Sequence, residues 1–197
     1  MGLALQREEL FMGTDKKKGY TVADIEALPE GKRAELIDGE MFEMACPTFT
    51  HQDMLNWMNV RIAMYIMEHK GPCRVLPAPF AVYILNDDRN YVEPDISVIC
   101  HRDKVDEKGC HGAPDWAIEI VSPSSKHMDY VRKLALYETA GMREYWIVDP
   151  QQQSITVYDL EHKIGPILHS FDEKVKVGIY EDLFLDFSEF LSQAWQL

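Results

Sequence analysis

Asp115-Trp116-Ala117-Ile118-Glu119-Ile120-Val121, then Ser122-Pro123, a polar run carrying Asp129 and Lys133, the stop Ala140-Gly141, and finally Glu144-Tyr145-Trp146-Ile147-Val148-Asp149-Pro150, read as strand, helix, strand. The outer segments are short apolar runs bounded by turn residues, the length and composition of buried strands. Between them Asp129 reads as the cap of a helix that runs to Ala140, with Gly141 as its stop. Alternation along the first strand sets Trp116, Ile118 and Ile120 on one face and Ala117, Glu119 and Val121 on the other. Glu119 therefore lies among small and branched apolar neighbours. A carboxylate there is costly to bury unless something pairs with it.

Working outward, Glu93-Pro94-Asp95-Ile96-Ser97-Val98-Ile99 places a second acid at the start of another apolar strand. An aspartate after proline is alone an ordinary turn residue; its pairing with Glu119 gives it weight. Asp38-Gly39 between residues 33–37 and 40–44 is a two-residue hairpin signal. Thr21 caps a short helix over 22–28, and Thr50 opens a long one over 51–70, where Met54, Leu55, Met58, Ile62, Tyr65 and Ile66 keep a helical period. Further strands fall at 74–76, 80–85, 95–99 and 155–159, with a hairpin at 167–180 and a closing helix from Ser188. Residues 1–19 read as an arm and 20–197 as one domain. The expected class is α/β (α+β), a mixed β-sheet flanked by helices.

The chain of 197 residues carries a net charge of −13, with 46% apolar and 27% charged residues, ordinary for a globular domain. No apolar run approaches the roughly 18 residues of a membrane span. The N-terminus lacks the order of a signal peptide, so the expectation is cytoplasmic with no membrane partner. The acidic balance opposes a sequence-independent grip on nucleic acid; the basic runs are Lys16-Lys17-Lys18, Lys32-Arg33 and residues 126–133. Cys46, Cys73, Cys100 and Cys110 form no CxxC pair and read as free thiols. Cys100-His101 with Cys110-His111 raises a zinc module, but the spacing fits no usual zinc pattern. Neither Gly-x-Ser-x-Gly nor a phosphate loop is present, which disfavours serine hydrolysis and P-loop nucleotide chemistry.

Two acids on neighbouring strands suggest a divalent cation between them, and a helix lysine beside them completes equipment suited to phosphodiester hydrolysis. The residues that carry this chemistry, Glu93-Pro-Asp95, the Glu119 strand, Ser122-Pro-Ser, Asp129, Lys133-Leu-Ala-Leu-Tyr137, Ala140-Gly141 and Glu144 to Pro150, resemble the Uma-type restriction-endonuclease family of the PD-(D/E)XK nuclease superfamily. The likeness covers roughly residues 21–160 and reaches back to Glu35-Leu-Ile-Asp-Gly-Glu40 and His51-Gln52. It implies a restriction-endonuclease-like core with Asp95 and Glu119 as the two acids. Val121 stands where the superfamily places its lysine, and Lys133 on the following helix takes that role. Mg²⁺ or Mn²⁺ would rest on Asp95, Glu119 and the backbone carbonyl of Ile120, hard oxygens for a hard ion. Glu40 is a candidate third carboxylate, with Glu35 as its competitor, and His51 a candidate for orienting water or phosphate. The implied activity is endonucleolytic cleavage of nucleic acid, DNA first, with a homodimer compatible. The alternative is a catalytically silent nuclease-fold module for interaction or regulation, favoured by the acidic charge and the displaced lysine. Glu119→Ala or Lys133→Ala is expected to abolish cleavage and leave the fold intact.

Overall fold

The computed structural model describes residues 19–122, 125–193 and 195. The N-terminal arm with its lysine run lies outside the described residues, Gly19 excepted. In chain order come α1 (Val22–Glu26), the strands β1 (Ala34–Ile37) and β2 (Glu40–Glu43), and α2 (Phe49–Glu68). Then follow β3 (Arg74–Pro77), β4 (Val82–Tyr83), β5 (Ile96–Ile99), β6 (Cys110–His111) and β7 (Trp116–Ile120). A π-helical turn (Met128–Lys133) runs into α3 (Leu134–Thr139). β8 (Glu144–Asp149), β9 (Ser154–Asp159), β10 (Ile164–Ser170), β11 (Lys174–Lys176), β12 (Phe184–Asp186) and α4 (Phe187–Gln193) complete the chain.

Six strands form a mixed sheet in the order β10-β9-β8-β7-β5-β3. β7 and β8 run parallel at its centre, Trp116 beside Glu144 and Ile120 beside Val148. A parallel neighbour requires a crossover, and the π-turn with α3 supplies it. The remaining pairs of this sheet are antiparallel. Both strands at the centre are buried along their whole length, which is why they read as continuous apolar runs. One face, with Trp116, Ile118, Ile120 and Trp146, packs on Met54, Met58 and Ile62 of α2 and on Phe187 and Phe190 of α4. The opposite face, with Ala117, Val121, Tyr145 and Ile147, packs on Leu136 and Tyr137 of α3 and on Ile37 of the β1–β2 hairpin. Asp38 and Gly39 turn that hairpin with φ of 52° and 78°, the left-handed pair of a type I′ turn.

Several sequence expectations change. α2 begins before Thr50, because Thr48 Oγ1 accepts the His51 N–H at 3.3 Å and so acts as the cap. The strand at 80–85 shortens to Val82–Tyr83, paired in parallel with β6. The hairpin at 167–180 does not form: β10 joins β9 on the main sheet and β11 pairs with β12. Asp129 lies inside the helical turn, buried, and caps nothing. Cys73 and Cys100 are joined in a disulfide, while Cys46 and Cys110 are free. The two partners flank the paired residues Arg74 and Ile99 of adjacent antiparallel strands, a proximity that overturns the reading of four free thiols. It also removes Cys100 from any zinc set. Among the described residues no helix is long and apolar enough to cross a membrane.

Candidate active site

The antiparallel register of β5 on β7 pairs Ile96 with Ile118 and Ser97 with Ala117. One step beyond the last pair, Asp95 stands opposite Glu119. Asp95 Oδ2 accepts the Ile120 N–H at 2.8 Å and lies 3.1 Å from His51 Nε2. The end of α2 thus meets the strand ends. Glu119 Oε1 accepts hydrogen bonds from Lys133 Nζ at 2.9 Å and from the Tyr137 hydroxyl at 2.8 Å. Lys133 Nζ also lies 2.9 Å from Glu35 Oε2 and 3.7 Å from Asp129 Oδ1. Glu35 is fixed in turn, its Oε1 accepting the Glu93 N–H at 2.9 Å. Glu35, Glu119, Asp129 and Lys133 are each at most 4% exposed.

The π-turn explains how one short helix reaches this cluster three times. Asp129, Lys133 and Tyr137 are spaced by four, and all three are buried. Four residues overshoot a turn of α-helix, at 3.6 per turn, and fall short of the wider π-turn with its i→i+5 bonding. One interval lies in each kind of winding, so the two offsets compensate. All three side chains then face β7.

Burial pushes the Glu119 carboxyl well up, Lys133 pulls it down, and the neighbouring Asp95, Asp129 and Glu35 push it up again. Burial alone would lower Lys133, but the surrounding Glu119, Glu35 and Asp129 outweigh it and hold the ammonium charged far into the alkaline range. Asp129 is raised to about 6, chiefly by burial, with Lys133 and a hydrogen bond from Ser125 opposing. His51 is raised although burial acts to lower it, because the hydrogen bond and charge of Asp95 prevail. We take Lys133 as ionised and the cluster as an acid group that shares its remaining charge with protons.

Of the residues singled out in the sequence, Asp95, Glu119, Lys133 and His51 converge, and Ile120 joins them through its backbone N–H. Glu40 lies apart: its carboxylate is 62% exposed and pairs with Arg132. Glu35, its competitor on the facing strand, occupies the cluster. Sequence reasoning missed Asp129 and Tyr137 as members; their spacing from Lys133 was the available signal. The hydrogen bonds to Asp95 fall on Oδ2 and those to Glu119 on Oε1, with none at Asp95 Oδ1 or Glu119 Oε2 among the described residues. No set of three or more His, Cys, Asp and Glu side chains among the described residues is arranged to hold an ion. A cation between Asp95 and Glu119 would thus rest on two carboxylates, a backbone carbonyl and oxygens of water or phosphate. That set suits Mg²⁺, which retains several waters.

A family model described as "Uma2: Putative restriction endonuclease" matches residues 22–188. The uncharacterized protein slr1290 of Synechocystis sp. is 27% identical over 132 residues, 64% of this chain. That match spans 66% of the relative's length, just under two thirds. A crystal structure of a "putative nuclease belonging to DUF820" from Anabaena variabilis superposes with a TM-score of 0.71 at 23% identity, over 87% of this chain and 97% of that one. At that identity the likeness establishes the shared fold.

Proposed function

The chain belongs to the Uma2 family, described as "Putative restriction endonuclease", and from that premise we propose that it is a Mg²⁺- or Mn²⁺-dependent endonuclease that hydrolyses phosphodiester bonds of DNA. The observation that supports this reading most is the convergence of Asp95 and Glu119 in register, with Lys133 Nζ 2.9 Å from Glu119. Asp95 and Glu119 would hold the cation through the oxygens that carry no hydrogen bond. When bound, the ion supplies polarisation of the phosphate and a lowered pKa for an attacking water. Lys133 orients Glu119 and opposes the rise that burial imposes on its carboxyl, and Glu35 and Asp129 keep Lys133 in place. His51, whose Nε2 lies 3.1 Å from Asp95 Oδ2, would hold that carboxylate in position, while its buried Nδ1 has no hydrogen-bond partner among the described residues.

The test is cleavage of DNA and RNA substrates by the full chain with Mg²⁺, Mn²⁺ or chelator. Glu119→Gln and Asp95→Asn should each lower the rate at least about a hundredfold, the scale of losing one transition-state contact, with unchanged circular dichroism. Full activity in both sinks the assignment. Lys133→Ala is a poor probe, contrary to the sequence expectation, since removing one partner of a buried ion pair costs about 3–5 kcal/mol. A second reading, a catalytically silent interaction module, is favoured by one observation: Lys133 is held by three carboxylates and has no reach to solvent. Calorimetric titration separates the two. Absence of Mn²⁺ binding, or equal binding after Asp95→Ala, favours the silent module.

A further inference from the structure

β3 pairs Arg74 with Ile99 and Leu76 with Ser97. Paired residues share a face, so alternation sets Arg74, Leu76 and Ile99 on the side of the sheet that carries Asp95. At this corner of the sheet a cavity of about 640 Å³ opens, within the range of small-molecule sites. Buried Ile99 and half-buried Leu76 and Val105 give it an apolar lining. Ile99 follows Asp95 by four residues, about 13 Å along the strand, so the cavity is separate from the two acids. The segment after β5, with a 3₁₀ turn over Arg102–Lys104, supplies another wall. Lys104 Nζ fixes it by donating to the Ala113 carbonyl at 2.8 Å, and Asp106 Oδ1 accepts the N–H groups of Lys108 and Gly109.

Charge sets this cavity apart. The chain holds 33 acids against 20 lysines and arginines, and Arg33, Arg61, Arg132 and Arg143 are each paired with a carboxylate. Arg74 and Arg102 both line the cavity, and neither has a carboxylate partner among the described residues. Arg74 Nη1 donates to the Cys73 carbonyl at 2.8 Å and Arg102 Nη1 to that of Val105, which tethers each guanidinium and leaves its other N–H groups for a ligand. His101 lines the same space. Of the two acids there, Asp106 is engaged with its own loop and with His111 at 3.1 Å. Glu107 alone is left against the two guanidiniums. The Cys73–Cys100 bridge adds rigidity: Cys73 precedes Arg74, and Cys100 joins Ile99 to His101. Lining residues held before a ligand arrives cost less to order on binding. A guanidinium fork matches a phosphate. Two of them suit the nearly double charge of a phosphomonoester at neutral pH better than the single charge of a carboxylate or a diester. The apolar lining calls for a flat body attached to that anion, and a nucleoside supplies it.

We propose that this cavity binds a nucleoside 5′-monophosphate, with the phosphate on Arg74 and Arg102 and the base against Leu76, Ile99 and Val105. A free nucleotide and the phosphorylated 5′ end of a strand offer the same group. The test is calorimetric titration of AMP into the full chain in chelator, beside adenosine and inorganic phosphate. AMP should bind with a dissociation constant of about 1 mM or tighter, and at least about tenfold more tightly than either fragment, the scale of a hydrogen bond to a charged group. Arg74→Gln and Arg102→Gln should each weaken AMP by at least about tenfold. Both side chains are exposed, so the variants should fold, which circular dichroism checks. No AMP binding at that level, or equal binding of adenosine, overturns the phosphate site. Unchanged binding in both arginine variants overturns it too. Inorganic phosphate bound as tightly as AMP removes the base from the cavity. A 5′-phosphorylated oligonucleotide compared with its 5′-hydroxyl counterpart separates the sources: preference for the phosphorylated end marks a strand terminus, and equal affinity marks the free nucleotide. The proposal does not rest on the nuclease reading. Asp95→Asn should bind AMP like the parent even where cleavage is lost or never seen, and loss of AMP binding in that variant would put the nucleotide at the acids and overturn the cavity.

Discussion

At Lys133 a single ammonium faces Glu35, Glu119 and Asp129 within 3.7 Å, with Asp95 next to Glu119. More acid than base is enclosed, and burial, helped by the charges of Glu35 and Asp95 and opposed by Lys133, raises Asp129 to about 6 against 3.8 for the free side chain. The folded state then binds the proton more tightly than the unfolded state across that window. Stability present at low pH should accordingly fall as pH rises from about 4 to about 6. Asp129→Asn removes this titration, and should gain about 1–3 kcal/mol over the parent at pH 7 relative to pH 4, each pKa unit being worth 1.36 kcal/mol. Urea denaturation at the two pH values reads it; parallel changes in both proteins would refute it. The carboxylates of Asp95 and Glu119 were legible in the sequence because apolar neighbours make an acid conspicuous. Glu35 was not separable from Glu40, since each is a glutamate on an alternating hairpin strand. What distinguishes them is long-range: the Glu93 N–H that Glu35 accepts lies 58 residues away.

The π-turn is the element on which the cluster's geometry depends. Val131, 53% exposed, sits within it between Asp129 and Lys133. Deleting Val131 would let the segment wind as α-helix and set Asp129 only three residues before Lys133, about 60° short of a full turn. The expected protein is folded by circular dichroism but binds Mn²⁺ and cleaves at least tenfold less well, whereas Val131→Ala, which keeps the count, behaves as the parent. Equal activity in the deletion variant would remove the π-turn from the account. Strands β7 and β8, the crossover and the β1–β2 hairpin were all readable, because buried runs, a Gly stop and Asp-Gly leave local marks. A single wider turn leaves none: six residues are too few for a change of period to register, and Asp129 reads as a cap. The Cys73–Cys100 bridge was hidden for a related reason. Its partners are 27 residues apart, and only the pairing of β3 on β5 brings them together.

For the whole molecule, an ion bound at Asp95 and Glu119 is a ligand of the native state alone, and should stabilise it by about 2.7 kcal/mol at a hundredfold excess over its dissociation constant. In a chain of this size that corresponds to a Tm rise of roughly 5–10 °C. Thermal melts with and without Mn²⁺ measure it, and Asp95→Asn should abolish the shift. A shift of equal size in that variant would place the ion elsewhere. The sheet and its two covered faces were foreseeable from hydrophobic pattern, while the fate of the acidic net charge was not, since it depends on which cations each carboxylate captures. The closure of the Glu119–Lys133 pair carries a last consequence, in the domain of time. With both side chains nearly sealed before any ligand arrives, the pair cannot meet an incoming ion at the speed of diffusion. On the proposed reading, an ion would reach Glu119 only when α3 and its π-turn move away from β7. The frequency of that opening, set by the fold and not by the supply of ions, would become the upper limit on how fast the site can fill.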